Sequence, residues 1–265
     1  MKPAAFDYAR PNDLAEAAAL LAEGGEGARV IAGGQSLGPM LNLRLAHPRL
    51  VVDITHVRDL DGVDETAEAV VLGAAVTHAA VEDGRVPDIG GRVLPAVAAR
   101  IAYRAVRNRG TVAGSLCHAD PAADWATALT ALDACVITYR ARGGRTIPID
   151  AFIRGPFTTA LEPGELVAAV RIPKLSRAAR WGWYKVCRKP GEFSHAIGAV
   201  LVDSERGVRR AVIGATGNRP LLFRDDDASP EATDRALTNE STSFGTIERQ
   251  LHRVALRRAF AAAQA

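Results

Sequence analysis

Two stretches of this chain carry residue types from which an anion-binding backbone can be built. The first is Ala32-Gly33-Gly34-Gln35-Ser36-Leu37, two glycines followed by two polar donors. Glycine reaches positive φ and lets backbone N–H groups approach an anion with no Cβ in the way. The second is Thr111-Val112-Ala113-Gly114-Ser115, where hydroxyls again flank small residues. Neither is a P-loop, since no Gly-Lys-Ser/Thr follows, and neither has the Gly-x-Gly-x-x-Gly spacing of a dinucleotide fingerprint. One such turn alone reads as a tight strand end. Two, on separate α/β units, point to a clamp on a pyrophosphate from both sides.

Beyond the second turn lies Cys117-His118-Ala119-Asp120-Pro121-Ala122-Ala123-Asp124-Trp125. Its two carboxylates flank a proline, the pattern of a loop entering a helix with Asp120 as cap. Other reactive types have plainer readings. Asp53 ends an apolar strand and reads as a structural acceptor, and His118 reads as a loop histidine. Cys117, Cys135 and Cys187 are too dispersed for a cluster and read as buried free thiols. Trp181 and Trp183 would share one face of a strand, as core packing. Lys185 stands out because lysine otherwise occupies only positions 2, 174 and 189. No acid–base pair or metal-ligand spacing emerges, so no catalytic residue and no metal is assigned.

The elements that must position these residues fall into three groups. Asn12 or Asp13 can cap a helix with Leu14, Ala17, Ala18, Leu20 and Leu21 on helical spacing, stopped by Gly24-Gly25. Short apolar strands at 28–32 and 50–54 frame the first turn. A second unit holds a strand at 69–74, Thr77 as a helix cap, a small-residue helix at 94–101, a helix at 125–132, and strands at 135–140 and 165–172. The last group alternates like an antiparallel meander over 181–186, 197–202 and 208–215, then turns polar and loose from Asp225 to Ser243. A terminal helix places Ile247, Leu251, Val254 and Ala255 on one face.

Composition narrows the function classes. Of 265 residues, 48% are hydrophobic and 24% charged, the balance of a globular chain. Three cysteines exclude a disulfide scaffold, a zinc ribbon and a self-contained iron–sulfur protein. A net charge of +3 gives little support for nucleic-acid binding. No apolar run reaches the length of a membrane helix, and the N-terminus lacks the apolar stretch of a signal peptide, so a cytoplasmic location is expected.

The ordered set of motifs resembles the FAD-binding medium subunit of molybdenum hydroxylases, the family of aerobic carbon monoxide dehydrogenase medium subunits and xanthine dehydrogenase FAD-binding subunits. The matching stretches are Ala32 to Leu37 with Leu43-Arg44-Leu45, Val52-Asp53-Ile54, and Arg109 to Ser115 with His118 to Asp124. Gly155-Pro156-Phe157, Leu161 to Leu166 and Arg171-Ile172-Pro173 follow in order. The resemblance implies an α+β fold in three parts. Residues 1–55 and 56–173 would be the two α/β subdomains of a PCMH-type FAD-binding fold, and 174–265 a C-terminal antiparallel sheet-plus-helix domain.

The resemblance also implies roles. Ala32, Gly33, Gly34, Gln35, Ser36 and Leu37, with Thr111, Val112, Ala113, Gly114 and Ser115, would hold FAD, chiefly its pyrophosphate through backbone amides. Asp120 belongs to the same FAD-binding set, and Asp124 would hold the adenosine side. Leu161 would pack near the isoalloxazine ring, Phe193 would supply an aromatic beside it, and Lys185 would lie at its polar edge, where a cation favours the reduced form. The family's second turn carries two glycines. Ala113 replaces the first, which requires either a negative φ there or a displaced amide.

The implied function is electron transfer through FAD within a molybdenum hydroxylase complex. A two-cluster 2Fe–2S subunit would deliver electrons from a large molybdopterin subunit, and an external acceptor (NAD, quinone or oxygen) would take them, the whole a dimer of heterotrimers. The shortage of cysteine fits a chain whose electron donor is a partner. Two other readings stand beside this one. A stand-alone flavin-dependent oxidoreductase would need a base near the flavin, which the sequence does not offer. A non-redox nucleotide-binding or assembly module is favoured only by Ala113.

Overall fold

The computed structural model describes residues 2–238 and 244–264. Asp13 accepts the Glu16 amide at 2.8 Å and starts the helix Leu14–Gly24, which buries Ala17, Ala18 and Leu21. Gly25, at φ +52°, ends it. The helix covers a parallel sheet in the order Asp7–Ala9, Leu50–Asp53, Ala28–Ile31. Three residues are too few to show an alternation, so the first of these strands escaped the sequence reading. The stretch read only as short and apolar after the first turn contains the helix Leu37–Asn42.

The second sheet has five antiparallel strands, ordered Val63–Glu65, Ala69–Gly73, Leu166–Pro173, Cys135–Tyr139, Thr146–Pro148. Short helices His78–Glu82, Val93–Ala98 and Val112–His118 precede the longer Asp124–Ala131. One continuous core joins the first two layers, with Val52 and Ile54 from the first sheet, Val70, Leu72, Val136 and Val170 from the second, and Leu94, Trp125 and Leu129 from the helices.

The third sheet is the expected meander: Arg180–Val186, Ala196–Asp203, Val208–Gly214 and Leu221–Arg224, all antiparallel. Glycines set how closely helices approach it. A Cβ on Gly182 would lie 1.8 Å from Ala259 O, so the terminal helix Thr246–Ala262 rests its backbone against the strand. On the opposite face, a Cβ on Gly214 would lie 1.8 Å from Thr127 Oγ1, within the helix Asp124–Ala131. Trp181 and Trp183 stack there with centroids 6.1 Å apart and pack against the main core and against a small cluster of Ala131, Ala199 and Val212. The C-terminal sheet is therefore bolted onto the second layer through that helix.

Three expectations are corrected. The polar stretch after Asp225 is not loose throughout: Pro230–Thr238 is a helix that buries Ala232, Thr233 and Leu237, and residues 239–243 lie outside the described residues. The thiols are not buried: Cys117 is exposed and Cys135 and Cys187 are half-buried, because Val112, Ala113 and Leu116 take the inner side of the helix that carries Cys117. Asp120 does not cap the helix that follows; Ala123 stands at that cap, and Asp120 Oδ1 accepts the Ala122 amide at 2.8 Å within the preceding turn. No helix among the described residues is long and apolar enough to cross a membrane.

Candidate functional site

The first glycine turn leaves the carboxyl end of the strand Ala28–Ile31 in the parallel sheet, the end at which such sheets open toward ligands. Gly34 adopts φ +72°, a conformation that bends the chain sharply and that side chains resist. Tyr8 and Thr55 flank the same end, both donating to the Asp53 carboxylate, Thr55 through its amide at 2.9 Å and its hydroxyl at 2.7 Å. Asp53 is thus a structural acceptor that ties the outer strand to the sheet. These bonds also hold its carboxyl below the usual range against the upward push of burial.

The second turn is fixed from below. Thr111 pairs with Thr77, His78 N donates to Gly110 O at 2.9 Å, and Val112 N donates to Val76 O at 3.2 Å. Thr111 caps the helix Val112–His118, its Oγ1 accepting the Gly114 amide at 2.9 Å. A Cβ on Gly114 would sit 2.8 Å from that oxygen, so glycine keeps the cap close. Ala113 lies inside this helix and has no positive φ. Alanine stands there without strain, and the amide needs no displacement.

The two turns meet. A Cβ on Gly33 would fall 1.8 Å from Arg109 O and 2.7 Å from Gly110 Cα, so the backbones of both segments are in direct contact. Among the described residues, the amides of Gly33, Gly34, Gln35, Ser36 and Leu37 have no protein acceptor, nor do those of Thr111 and Ala113. Unpaired donors converging from two segments are what an anion requires. The segment 33–37 is half-buried except for the exposed Gln35, whose Nε2 reaches back to Gly33 O at 3.2 Å.

Asp124 and Lys185, expected at different ends of the cofactor, instead meet each other. Lys185 Nζ lies 2.8 Å from Asp124 Oδ2 and 3.2 Å from Arg100 O. Both side chains are buried, and Asp124 Oδ1 is left without a partner. Burial pushes the Asp124 carboxyl up while the Lys185 ammonium pulls it down. Gly191, further along the same segment, bridges Ile101, and a Cβ there would lie 2.5 Å from Ala102 O. Arg107 donates to Ile101 O and Ala102 O, both at 2.9 Å, and is paired with Glu82. The stretch 100–102 that leads to the second turn is therefore held by the C-terminal sheet.

Phe193, beside this bridge, is 65% exposed. Leu161 is half-buried against the main core. Neither makes a hydrogen bond or ring contact with either turn among the described residues. Sequence reasoning took Thr77 only as a cap and missed His78 and Trp125 as a pair: Trp125 Nε1 donates to His78 Nδ1 at 3.0 Å in the interior. A histidine directly after a helix cap, in a chain with six, was the available signal. A cavity of about 490 Å³ on the C-terminal sheet is lined by Leu222 to Asp227 and includes no residue of either turn. Its three aspartates would repel a phosphate.

A pair of abutting turns with free amides, one on a parallel layer and one on an antiparallel layer, with an antiparallel sheet-plus-helix domain behind them, defines the PCMH-type class of flavin-nucleotide folds. Residues 4–175 match the model of the FAD binding domain in molybdopterin dehydrogenase, and the chain belongs to that family. It is 35% identical over 241 residues to the alpha subunit of the 6-hydroxypseudooxynicotine dehydrogenase complex of Paenarthrobacter nicotinovorans, covering 90% of this chain and 81% of the relative. Carbon monoxide dehydrogenase of Hydrogenophaga pseudoflava contains a chain that superposes with a TM-score of 0.90 at 29% identity, covering 100% of this chain and 99% of that one. Quinoline 2-oxidoreductase of Pseudomonas putida 86 gives 0.87 at 30% identity, with the same coverage.

Proposed function

We propose that this chain binds FAD between its two turns and serves as the electron-exit subunit of a molybdenum hydroxylase complex. The observation that supports this best is the contact of Gly33 with Arg109 and Gly110, which sets two groups of unpaired amides side by side. The donor set fits the pyrophosphate of FAD: it is made of backbone N–H groups, with hydroxyls at Ser36, Thr111 and Ser115. Bound FAD would accept electrons singly and release them singly or in pairs.

The chain's own residues have separable tasks in this reading. Residues 32–37 and 111–115 orient the pyrophosphate, and Gly33 keeps the two turns close enough to act together. Asp124 and Lys185 act as a buried pair that neutralises each other's charge, and the unpartnered Asp124 Oδ1 would be the acceptor toward the adenosine side of the cofactor. Asp120 shapes the turn that leads into Asp124. Leu161 and Phe193 would supply apolar contact to the flavin ring, and the exposure of Phe193 leaves it free to do so.

The electron donor would be a two-cluster 2Fe–2S chain fed by a large molybdopterin chain, assembled as a dimer of heterotrimers in the cytoplasm. The acceptor would be NAD, quinone or oxygen. Substrate choice would rest with the molybdopterin chain, in keeping with relatives named for a nicotine derivative, carbon monoxide and quinoline.

Purifying the chain and titrating it with FAD tests the reading. Stoichiometric binding with a visible flavin spectrum is expected, together with co-purification of an iron–sulfur chain and a molybdopterin chain. No flavin absorbance before or after adding FAD would overturn it. Bleaching of bound flavin by a small organic substrate, with no partner chain present, would replace it with the stand-alone oxidoreductase.

A further inference from the structure

The imidazole of His78 is 5% exposed and lies under the junction of the two turns. Its own amide is bonded to Gly110 O, and a Cβ on Gly110 would come within 3.0 Å of its Nε2 and Cδ2. The ring edge therefore lies against the Gly110 backbone, on the residue that Gly33 also approaches. The indole of Trp125, which is fully buried, can only donate, and it donates to Nδ1 at 3.0 Å. Nδ1 must then be the acceptor nitrogen. A neutral imidazole bonded in this way carries its one proton on Nε2, and Nε2 has no protein acceptor among the described residues.

We infer that His78 presents a fixed neutral N–H donor to the phosphate-bearing ligand of the two turns, its tautomer set by the buried indole of Trp125. The ligand class follows from the donors around it: an anion, with the pyrophosphate of a dinucleotide as the occupant. This deepens the FAD reading and rests on it. Nε2 lies at the Gly110 edge of the ring and is not among the buried side-chain atoms sealed off without a partner, so its N–H is open to an incoming acceptor at the junction of the turns. Burial and the charge of Arg107 lower the pKa of His78 to about 4, so the ring stays neutral around pH 7. A neutral donor orients a phosphate oxygen without adding a cation to the site.

Nitrogen-15 labelling of histidine in the full chain tests the inference directly. Two-bond correlation spectra report the tautomer, and FAD is added to saturation while the His78 signal is followed. The expected result is an Nε2–H tautomer whose resonance moves with FAD. A proton on Nδ1, or a resonance indifferent to bound FAD, would overturn it. In parallel, flavin fluorescence measures FAD affinity of His78→Gln, which keeps a donor and an acceptor, and of His78→Leu, which keeps neither. Loss of one hydrogen bond predicts about tenfold weaker binding for His78→Leu, with His78→Gln much closer to the wild type. Equal weakening in both variants would assign the effect to packing and remove the donor role. If His78→Leu does not fold, the spectra of the wild-type chain decide. A wild-type chain that binds FAD while the His78 N–H stays silent sinks only this inference. A wild-type chain that binds no FAD sinks the functional reading, and this one with it.

Discussion

Lys185 on the first strand of the C-terminal sheet forms a 2.8 Å ion pair with Asp124, the first residue of the helix that docks that sheet to the second layer. Removing one member leaves the other charge buried and uncompensated, which typically costs about 3–5 kcal/mol, whereas removing both is far less damaging. Lys185→Met should therefore lower the urea midpoint strongly, and Lys185→Met combined with Asp124→Leu should recover most of the loss. Equal destabilisation of the single and double variants would show that the two residues are not coupled.

The contact between the turns predicts a sharp contrast between two nearby glycines. Gly33→Ala would drive a Cβ into the Arg109 carbonyl, which is backbone and cannot swing aside. We expect a loss of about 2 kcal/mol in stability and, in FAD titrations, at least tenfold weaker binding. Gly38 meets nothing within 4 Å and lies in the helix Leu37–Asn42. There, Gly38→Ala should stabilise by about 0.5–1 kcal/mol and leave FAD affinity unchanged.

Phe193 separates binding from folding. Because its ring is largely exposed, Phe193→Ala should change unfolding free energy by no more than about 0.5 kcal/mol. If the ring lies beside the flavin, the same variant should bind FAD more weakly and quench its fluorescence less. Unchanged affinity and quenching would remove Phe193 from the site.

Two buried histidines give stability a defined pH dependence. Burial lowers the pKa of His78 and of His252 from 6.5 to about 4. Below pH 6.5 the unfolded chain takes up a proton at each, while the folded chain does not until about pH 4. Stability should fall across that window by about 3 kcal/mol per histidine and level off beneath it. Glu165 acts in a lower range. Against the upward push of burial, its bonds to Arg145 and Thr138 hold its pKa near 2, so its contribution is present above pH 4.5 and lost as pH falls toward 2. Urea titrations at pH 7.5, 5.5 and 4.5 should resolve the histidine step, and His252→Leu should make it shallower.

Most of the elements were legible because their signals are local. Asp13, the apolar spacing of Ala17, Ala18 and Leu21, and Gly25 specify one helix within a dozen or so residues. Alternation specifies the meander, and the glycine turns mark themselves. What escaped lacked a local signal. The strand Asp7–Ala9 exists only because Leu50–Asp53 pairs with it, and Asp120 spends its carboxylate on the Ala122 amide in the preceding turn, leaving the cap position to Ala123. The exposure of Cys117 likewise has no local signal, because the outward side of a seven-residue helix cannot be read from composition.

The sequence by itself determined the family, the α+β class and the two segments able to hold a phosphate, since those rest on residue types at short spacing. Only the tertiary structure decided that the segments touch, that Asp124 and Lys185 are partners, and that Trp125 fixes the proton on His78. These are relations between residues up to 77 positions apart, as from Gly33 to Gly110. They depend on how closely two backbones pack and which polar groups burial leaves without a partner, and neither quantity exists until the chain has folded.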